Sequence, residues 1–126
     1  MRGIMESLRE AVEREVSGWP EVEAKPHRFG GVEFRVMGRE IGHLHGSRMA
    51  DLPFPVRMRK ELVAEGKAEP HHVLPQTGWV SYYPRGPEDA PAVVELFRLN
   101  YEHLVQRDKK KAEKVAPEGM ISEEAR

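Results

Sequence analysis

The chain has 126 residues, of which 39% are hydrophobic and 33% are charged, a composition typical of one soluble, charge-rich domain. The formal net charge of −1 provides no overall field that would draw the chain to nucleic acid or to a membrane surface, and no apolar run is long enough to span a bilayer. The lack of cysteine excludes disulfides, thiolate nucleophiles and zinc–thiolate sites, and it leads us to expect a cytoplasmic protein.

The first half of the chain predicts one helix and then three strands. Apolar residues recur at helical spacing from Ile4 to Val16, and the segment SGWP ends the helix, with Trp19 folding back onto the core. The segment EVEAK alternates as a short strand, and GGVEFRV alternates as a half-buried strand. After the turn at Gly38, EIGHLHG is predicted as a third strand.

The second half predicts a helix, a hairpin and a longer helix. In MADLPFPVRMRKELVAEG the prolines prepare a helix start, and Gly66 ends the helix. The segment EPHHVLPQTGWVSYY indicates two strands around a Pro-Gln-Thr-Gly turn, with Leu74 facing Trp79. The segment GPEDAPAVVELFRLNYEHLV places Phe97 and Tyr101 on one apolar face and predicts the longest helix.

These elements have the order α–β–β–β–α–β–β–α, with hairpins rather than crossovers between the strands. That order predicts an α+β two-layer sandwich, in which an antiparallel sheet of about five strands carries its helices on one face. We expect a single domain over residues 1–106 and a charged C-terminal tail over residues 107–126. An ordered tail would have to dock on its own or on a neighbouring subunit, so we expect a homodimer.

The segment HLH places His43 and His45 two residues apart in a strand, so both side chains project from one face. Such a pair could supply two of the ligands of a divalent metal ion, because imidazole suits Zn, Ni, Cu or Fe. The face depends on the turn before this strand. One register pairs Phe34 with His43 and points the histidines at the helices, whereas a shift by one pairs Val32 with Leu44 and puts them on the open face. We favour the open face, because two unpartnered imidazoles would be costly in the core.

Further candidate residues lie close to this pair in the sequence. Asp51, His71 or His72 could supply a third ligand, and Asp51 could also form an acid–base pair with a histidine. His71 and His72 are adjacent in a predicted strand and would point to opposite faces, so we expect at most one of them, with His72 as the candidate, to join the pair. Arg35 lies on the preceding strand and could give the open face positive charge for a carboxylate or phosphate ligand.

The segment HRFGG allows two interpretations. Its glycines could let backbone N–H groups approach an anion together with Arg28. Alternatively, the segment is a plain turn in which Phe29 anchors the core, and this is the interpretation that we favour. Arg28 stays a candidate ligand-binding residue in either case.

From Trp19 to Glu102 the chain resembles a small bacterial family known as the luciferase domain, whose function is unknown. The resemblance rests on H-R-F-G-G, E-I-G-H-x-H-G, D-x-P-F-P, E-P-H-H-V-L-P and G-W-V-S taken together. It implies no mechanism, and it does not imply flavin monooxygenase chemistry, because flavin luciferases resemble a barrel several times larger than this chain could build. The element order also resembles MmcQ/YjbR-like and secretion-chaperone-like folds, and DNA binding is a suggested role for the first of these.

Three functions stay open on these residues. The leading hypothesis is a binding module whose open sheet face, lined by histidine and arginine, holds a small anionic ligand or a protein partner. The second is a metal-dependent enzyme, or a His/Asp acid–base enzyme, that uses His43, His45 and Asp51. The third is a nucleic-acid-associated protein that uses Lys109 to Lys111, which the near-neutral charge does not favour. We expect no cofactor and no membrane partner, with a divalent metal at His43 and His45 as the open alternative.

Overall fold

The protein is described by a computed structural model over residues 6–115, in which three helices pack against one face of an antiparallel sheet. The helices are α1 (Leu8–Ser17), α2 (Val56–Ala64) and α3 (Ala90–Val115). The strands are β1 (Val22–His27), β2 (Gly31–Val36), β3 (Arg39–His45), β4 (Met49–Pro53), β5 (Glu69–Pro70) and β6 (Trp79–Tyr82). They lie in the order β1-β2-β3-β4-β6-β5, and the face away from the helices is open.

The predicted α+β class and the order of the elements are confirmed, and the described sheet has one strand more than the sequence indicated. The added strand is β4, which the sequence interpretation took as the approach to the second helix. Ala50 and Leu52 point into the core and Asp51 points to the open face. This alternation is too short to stand out beside the prolines that follow it. The resemblance in element order to MmcQ/YjbR-like and secretion-chaperone-like folds stays a prediction.

The predicted hairpin is confirmed as an antiparallel pair of β5 and β6, but its four-residue Pro-Gln-Thr-Gly turn is wrong. Strand β5 ends at Pro70, and residues 71–78 form a loop before β6. In β6, Trp79 pairs with Pro53 of β4 instead of facing Leu74, whose side chain is exposed. The loop closes on itself through Thr77, whose hydroxyl donates to the Leu74 carbonyl at 2.8 Å. It follows that the two adjacent histidines of this segment lie in a loop and not in a strand.

Helix α1 begins with a capping box. The Ser7 side chain accepts from the Glu10 N–H, and the Glu10 carboxylate accepts from the Ser7 N–H. The apolar stripe of α1 is buried from Leu8 onward, and the earlier residues of the predicted stripe lie outside the described residues. Trp19 is buried beyond the helix end, as expected, and its ring centroid lies 5.2 Å from that of Tyr101 on α3.

A β-bulge in β3 decides which face the histidines occupy. The two-residue turn Met37–Gly38, with φ values of 52° and 77°, starts the β2–β3 hairpin. If the pairing next to this turn continued along both strands without interruption, Val32 would lie opposite His43, and His43 would point at the helices. The ladder skips Ile41, which moves the pairing on by one residue and sets Val32 opposite Leu44. The favoured open-face register is therefore confirmed.

Helix α3 supports this bulge from the core side. Asn100 is fully buried, and its Nδ2 donates to the carbonyl of Ile41 at 2.9 Å and to that of Pro53 at 3.1 Å. The skipped residue is thereby given a hydrogen-bond partner inside the core. At the next residue, a Cβ on Gly42 would lie 2.9 Å from Cε1 of Phe97, so glycine is what lets α3 pack this closely.

The first part of the predicted tail is helical. Helix α3 continues past residue 106 as far as Val115, and Asp108 in this extension pairs with Arg39 of β3 at 3.4 Å. The remaining tail residues, 116–126, lie outside the described residues. None of the helices in residues 6–115 is both long enough and apolar enough to cross a membrane.

Candidate metal centre on the open sheet face

A groove on the open face gathers five of the six histidines in the chain. Its volume is about 630 Å³, and the sixth histidine, on α3, does not line it. The aromatic rings contact one another, as between His27 and His43, whose centroids lie 4.0 Å apart. We call this feature the histidine groove, and it is defined by His27, His43, His45, His71, His72 and Trp79.

Three potential metal ligands converge at the histidine groove, where two of them line it and the third is buried beneath it. His43 and His45 come from β3, and Asp51 lies directly opposite His43 on β4. Asp51 Oδ2 lies 3.5 Å from His43 Nε2 and 3.2 Å from His45 Nε2, and the three ligand atoms all lie within 4.8 Å of one another. A tetrahedral ion with bonds of about 2.1 Å sets its ligands about 3.4 Å apart, so these separations suit one divalent ion. The structure thus unites the predicted histidine pair with Asp51, one of the candidates for a third ligand.

Glu40 orients the ring of His43. Its Oε2 lies 2.5 Å from His43 Nδ1, which leaves Nε2 to face Asp51. The bulge makes this contact possible, because a regular strand would put residues three apart on opposite faces. A carboxylate on the second ring nitrogen is the arrangement that orients metal-binding histidines in proteins. Sequence reasoning missed Glu40 because a bulge leaves no signature in the alternation pattern.

The charges at the centre of the groove are coupled. Burial disfavours charge on His43, but hydrogen bonds to Asp51 and Glu40 outweigh it and raise the pKa of His43 to about 9. Burial also opposes ionisation of Asp51, yet hydrogen bonds from His43 and Ser81 lower the pKa of that carboxyl to about 2. In the metal-free protein at neutral pH, a proton on His43 therefore lies between two carboxylates, where a metal ion would replace it.

Ser81 and His45 complete this centre in different ways. The Ser81 hydroxyl is buried and donates to Asp51 Oδ1 at 2.6 Å, so it holds the carboxylate and is not exposed as a nucleophile. Burial and the neighbouring charge on His43 lower the pKa of His45. A neutral imidazole can coordinate a metal without first losing a proton.

The loop after β5 brings both remaining histidines into the groove, so the expectation that at most one would join is wrong. Strand alternation does not separate them because neither lies in a strand, and their rings stack with centroids 4.3 Å apart. His71 Nε2 lies 3.5 Å from Asp51 Oδ2, and His72 Nδ1 lies 3.5 Å from the Ser81 hydroxyl. Asp51, His71 and His72 therefore offer a second set of ligand atoms within 4.8 Å of one another.

Backbone hydrogen bonds make His71 a poor ligand. Its Nδ1 accepts the N–H groups of Val73 and Leu74, each at 3.1 Å. A ring nitrogen that accepts hydrogen bonds carries no proton, so the proton of the neutral ring is on Nε2, the atom nearest Asp51. Burial lowers the pKa of His71 against the attraction of Asp51, which keeps the ring neutral. His71 is thus a hydrogen-bond donor toward Asp51, and the second set of ligand atoms is incomplete.

The two arginines that the sequence indicated as candidate ligand-binding residues have different surroundings. Arg35 Nη1 donates to Glu33 Oε2 at 2.6 Å, so its charge is neutralised beside the groove. Glu33 also bonds to His27 Nδ1 at 3.0 Å, and the bonds from Arg35 and His27 lower the pKa of Glu33. Arg28 lines the groove, where its side chain is exposed. His27, which sequence reasoning did not single out as a site residue, is carried there by its place at the end of the edge strand β1.

The expectation that Phe29 anchors the core is wrong. Its side chain is 97% exposed at the rim of the groove, and its backbone is left-handed, with φ of 59° and ψ of 37°. This conformation interrupts the extended backbone between β1 and β2, and the core beneath is filled by Val32 and Phe34. The aromatic ring therefore borders the groove and not the helices.

A metal held by three protein ligands keeps at least one coordination position open. Two imidazoles and one carboxylate suit Zn²⁺ and the neighbouring transition metals, whereas Mg²⁺ and Ca²⁺ prefer oxygen ligands alone. A bound ion could hold an anion at its open position or lower the pKa of a bound water. The arrangement is therefore able to support both ligand binding and hydrolytic chemistry.

Comparison with known proteins identifies one family. The luciferase domain matches residues 38–100, which is half of the chain. The matched segment contains His43, His45 and Asp51, and it begins after His27 and Glu33. Neither a curated protein nor a solved structure matches the chain. The chain belongs to the luciferase-domain family.

Proposed function

We propose that this protein is a metal-dependent binding module. In this proposal, one divalent transition-metal ion is held by His43, His45 and Asp51, and its open coordination position takes a small anionic ligand. The observation that carries the proposal is the spacing of the three ligand atoms, with Asp51 Oδ2 at 3.5 Å and 3.2 Å from the two imidazoles. The contact from Glu40 to His43 supports it, because a carboxylate on the second ring nitrogen fixes the orientation of a metal-binding imidazole.

The charge balance of the groove favours a metal over arginine as the partner of the anion. Arg35 is paired with Glu33, and the open face also carries the carboxylates of Glu40 and Asp51. Without a metal, the positive charge on His43 offsets only one of these two carboxylates, so the centre of the groove keeps a net negative charge that repels an anion. With a divalent ion bound, the charges of the ion, Arg28 and Arg35 together exceed those of the three carboxylates. A small anion would then be attracted to the open coordination position.

Calorimetric titration of Zn²⁺ into the tag-free chain, after dialysis against a chelator, tests the proposal. We expect one ion per chain, and we expect His45→Ala and Asp51→Asn to weaken the affinity by about 100-fold or more, since each removes a direct ligand. His103→Ala is the matched control, because His103 lies on α3 and does not line the groove. Stoichiometric zinc retained by a His43→Ala/His45→Ala double variant would rule the proposal out.

A metal-dependent enzyme is the second candidate, and one observation favours it. His27 stacks on His43 at 4.0 Å, and its Nδ1 is held by Glu33 at 3.0 Å, an orientation that a general base beside a metal would need. Zinc-loaded protein can be assayed with chromogenic carboxylate esters. Turnover that disappears in His27→Ala while zinc still binds would favour the enzyme, and ligand binding without turnover would favour the binding module.

The expected homodimer and the cytoplasmic setting stay predictions, as does association with nucleic acid through Lys109 to Lys111. Light scattering on the chain would contradict the dimer by returning the mass of a monomer. A labelled DNA duplex that does not shift at low salt would count against the nucleic-acid hypothesis.

A further inference from the structure

The histidine groove is larger than a metal ion and its water ligands require. Its volume of about 630 Å³ is within the range of small-molecule sites. The ligand triad occupies the part of the groove over β3 and β4. The remainder of the groove extends between the turn that carries Phe29 and the loop that carries Val73 and Leu74. This second part therefore contacts whatever extends beyond the metal.

That second part is apolar and exposed. Phe29 is 97% exposed, Val73 is 67% exposed and Leu74 is 44% exposed, and all three line the groove. They account for half of the six large hydrophobic side chains that are exposed in the described residues. Apolar exposure concentrated around one concave site is a feature of ligand-binding grooves, whereas singly scattered exposed residues need no explanation.

Phe29 is held in this position at a conformational cost. Its φ of 59° is left-handed, a region that costs a bulky L-residue about 1–2 kcal/mol relative to ordinary backbone. Neither burial nor packing in the core repays this cost, because the ring is almost fully exposed. Backbone strain of this kind is concentrated at functional sites. The exposed ring is therefore the strongest local indication of a bound apolar group.

The charged groups restrict the ligand further. Arg28 lines the same groove as Phe29, and the proposed metal ion would add further positive charge. Arg28 has no carboxylate within ion-pair distance among the described residues. We infer that the ligand is a carboxylate with an apolar body of roughly six to ten carbon atoms, its carboxylate on the metal and its body between Phe29 and Val73. This inference rests on the proposed metal site.

Three probes, which differ either in chain length or in the carboxylate, test the inference on zinc-loaded protein. Octanoate, acetate and 1-octanol are titrated below micellar concentrations, with Trp79 fluorescence and calorimetry as the readouts. Trp79 is a suitable reporter because its ring centroid lies 5.6 Å from that of His43. We expect octanoate to bind at least about tenfold more tightly than acetate, and 1-octanol to bind more weakly than octanoate by a similar factor. Equal affinity for octanoate and acetate would overturn the inference.

Phe29→Gly separates a ligand contact from a structural role. Glycine adopts the left-handed backbone without strain, so the variant should unfold at the same or a higher temperature than the parent chain. We expect it to lose several-fold in octanoate affinity while acetate and zinc bind as before. Val56→Ser is the matched control, because Val56 is 44% exposed and does not line the groove. Unchanged octanoate affinity in Phe29→Gly would show that the Phe29 ring does not contact the apolar body of the ligand.

Failure of this inference is distinguishable from failure of the proposed function. If zinc binds but octanoate and acetate bind with equal affinity, only the proposal that the ligand has an apolar body is refuted. Octanoate binding of equal strength with and without zinc would refute the placement of the carboxylate on the metal. Absence of zinc binding in the calorimetric titration would refute the proposed function and, with it, the inference that depends on it.

Discussion

The side chain of Asn100 donates a 2.9 Å hydrogen bond to the carbonyl of Ile41, the residue that the ladder of β3 skips. The same amide nitrogen reaches the carbonyl of Pro53 at 3.1 Å, so one buried side chain fastens α3 to both β3 and β4. These two strands carry all three proposed metal ligands. A residue on the helical side of the sheet thus supports the geometry of the opposite face.

Replacing Asn100 with leucine should therefore destabilise the protein and loosen the metal site together. One buried carbonyl and one partly buried carbonyl would lose their partner, which costs about 3 kcal/mol in the free energy of unfolding. Urea denaturation measures this loss, and zinc titration should show weaker binding. His103→Ala, on the same helix, is the control, with an expected change below about 0.5 kcal/mol. A stable Asn100→Leu variant with unaltered zinc affinity would show that the bulge needs no such support.

Gly42 provides a second test of the contact between helix and bulge. An added Cβ would lie 2.8 Å from Cγ of Leu52 and 2.9 Å from Cε1 of Phe97, both in the packed core. We expect Gly42→Ala to destabilise the fold by about 1–3 kcal/mol through overpacking. Gly18→Ala is the matched control, since its nearest neighbour would be 3.5 Å away and its φ is −82°. Thermal unfolding of the two variants should differ clearly, and equal midpoints would contradict the packing argument.

Glu40 should control zinc affinity without touching the metal. Glu40→Gln removes the charge that orients His43 through Nδ1, and losses of about 10–100-fold in metal affinity are typical of such changes. Glu33→Gln is the matched control, because Glu33 bonds to His27 and not to a proposed ligand. Calorimetric titration of both variants decides the matter. Equal zinc affinity in the two variants would show that Glu40 does not contribute to metal binding.

The stability of the metal-free protein should depend on pH through His43. Because its pKa is raised to about 9 from an ordinary value near 6.5, His43 stabilises the fold fully below about pH 6.5 and loses this effect as the pH rises to 9. Asp51, with its pKa lowered to about 2, acts in the opposite range, and its contribution is lost as the pH falls below about 4. The window of greatest stability from this pair lies between about pH 4 and 6.5.

Comparison with His43→Gln isolates this effect. Burial lowers the pKa values of His45 and His71 in the parent chain and in the variant alike. The part of these shifts that the charge on His43 causes is absent from the variant and belongs to the measured difference. In the presence of a chelator, the stability advantage of the parent chain should shrink by on the order of 1–2 kcal/mol between pH 6.5 and 9, allowing for solvent screening. Urea unfolding at several pH values measures it. A constant difference across this range would mean that His43 is not charged in the fold.

The tautomer of His71 can be observed directly. Nitrogen-detected NMR correlations of the imidazole should show the proton on Nε2, because Nδ1 accepts two backbone N–H groups. We expect the same tautomer after zinc is added, and His71→Ala should keep the stoichiometry of one ion per chain. Zinc-dependent shifts of the His71 ring nitrogens, or two ions per chain, would show that the second set of ligand atoms binds metal after all.

Much of the fold was accessible from the sequence, because amphipathic periodicity and turn residues report on burial. The open-face position of His43 and His45 was predicted by the cost of burying imidazoles, and the structure confirms it. The means by which it is achieved, a bulge at Ile41, was not predictable, since no residue pattern marks a skipped position. Glu40 was missed because its contact with His43 depends on the bulge. The joint presence of His71 and His72 in the groove was missed because the alternation rule misread their loop as a strand.

The three proposed ligands lie within residues 43–51, in one hairpin closed by a short turn at Gly46. The apolar side chains that border the groove, by contrast, include Phe29 and Val73, which are far apart in the chain. Closing a short loop costs little chain entropy, whereas joining distant segments requires most of the sheet. The residues that would bind the ion are therefore close together in the sequence, whereas the residues that would select the ligand are far apart. A partly folded chain could retain the ion before it is able to discriminate between carboxylates.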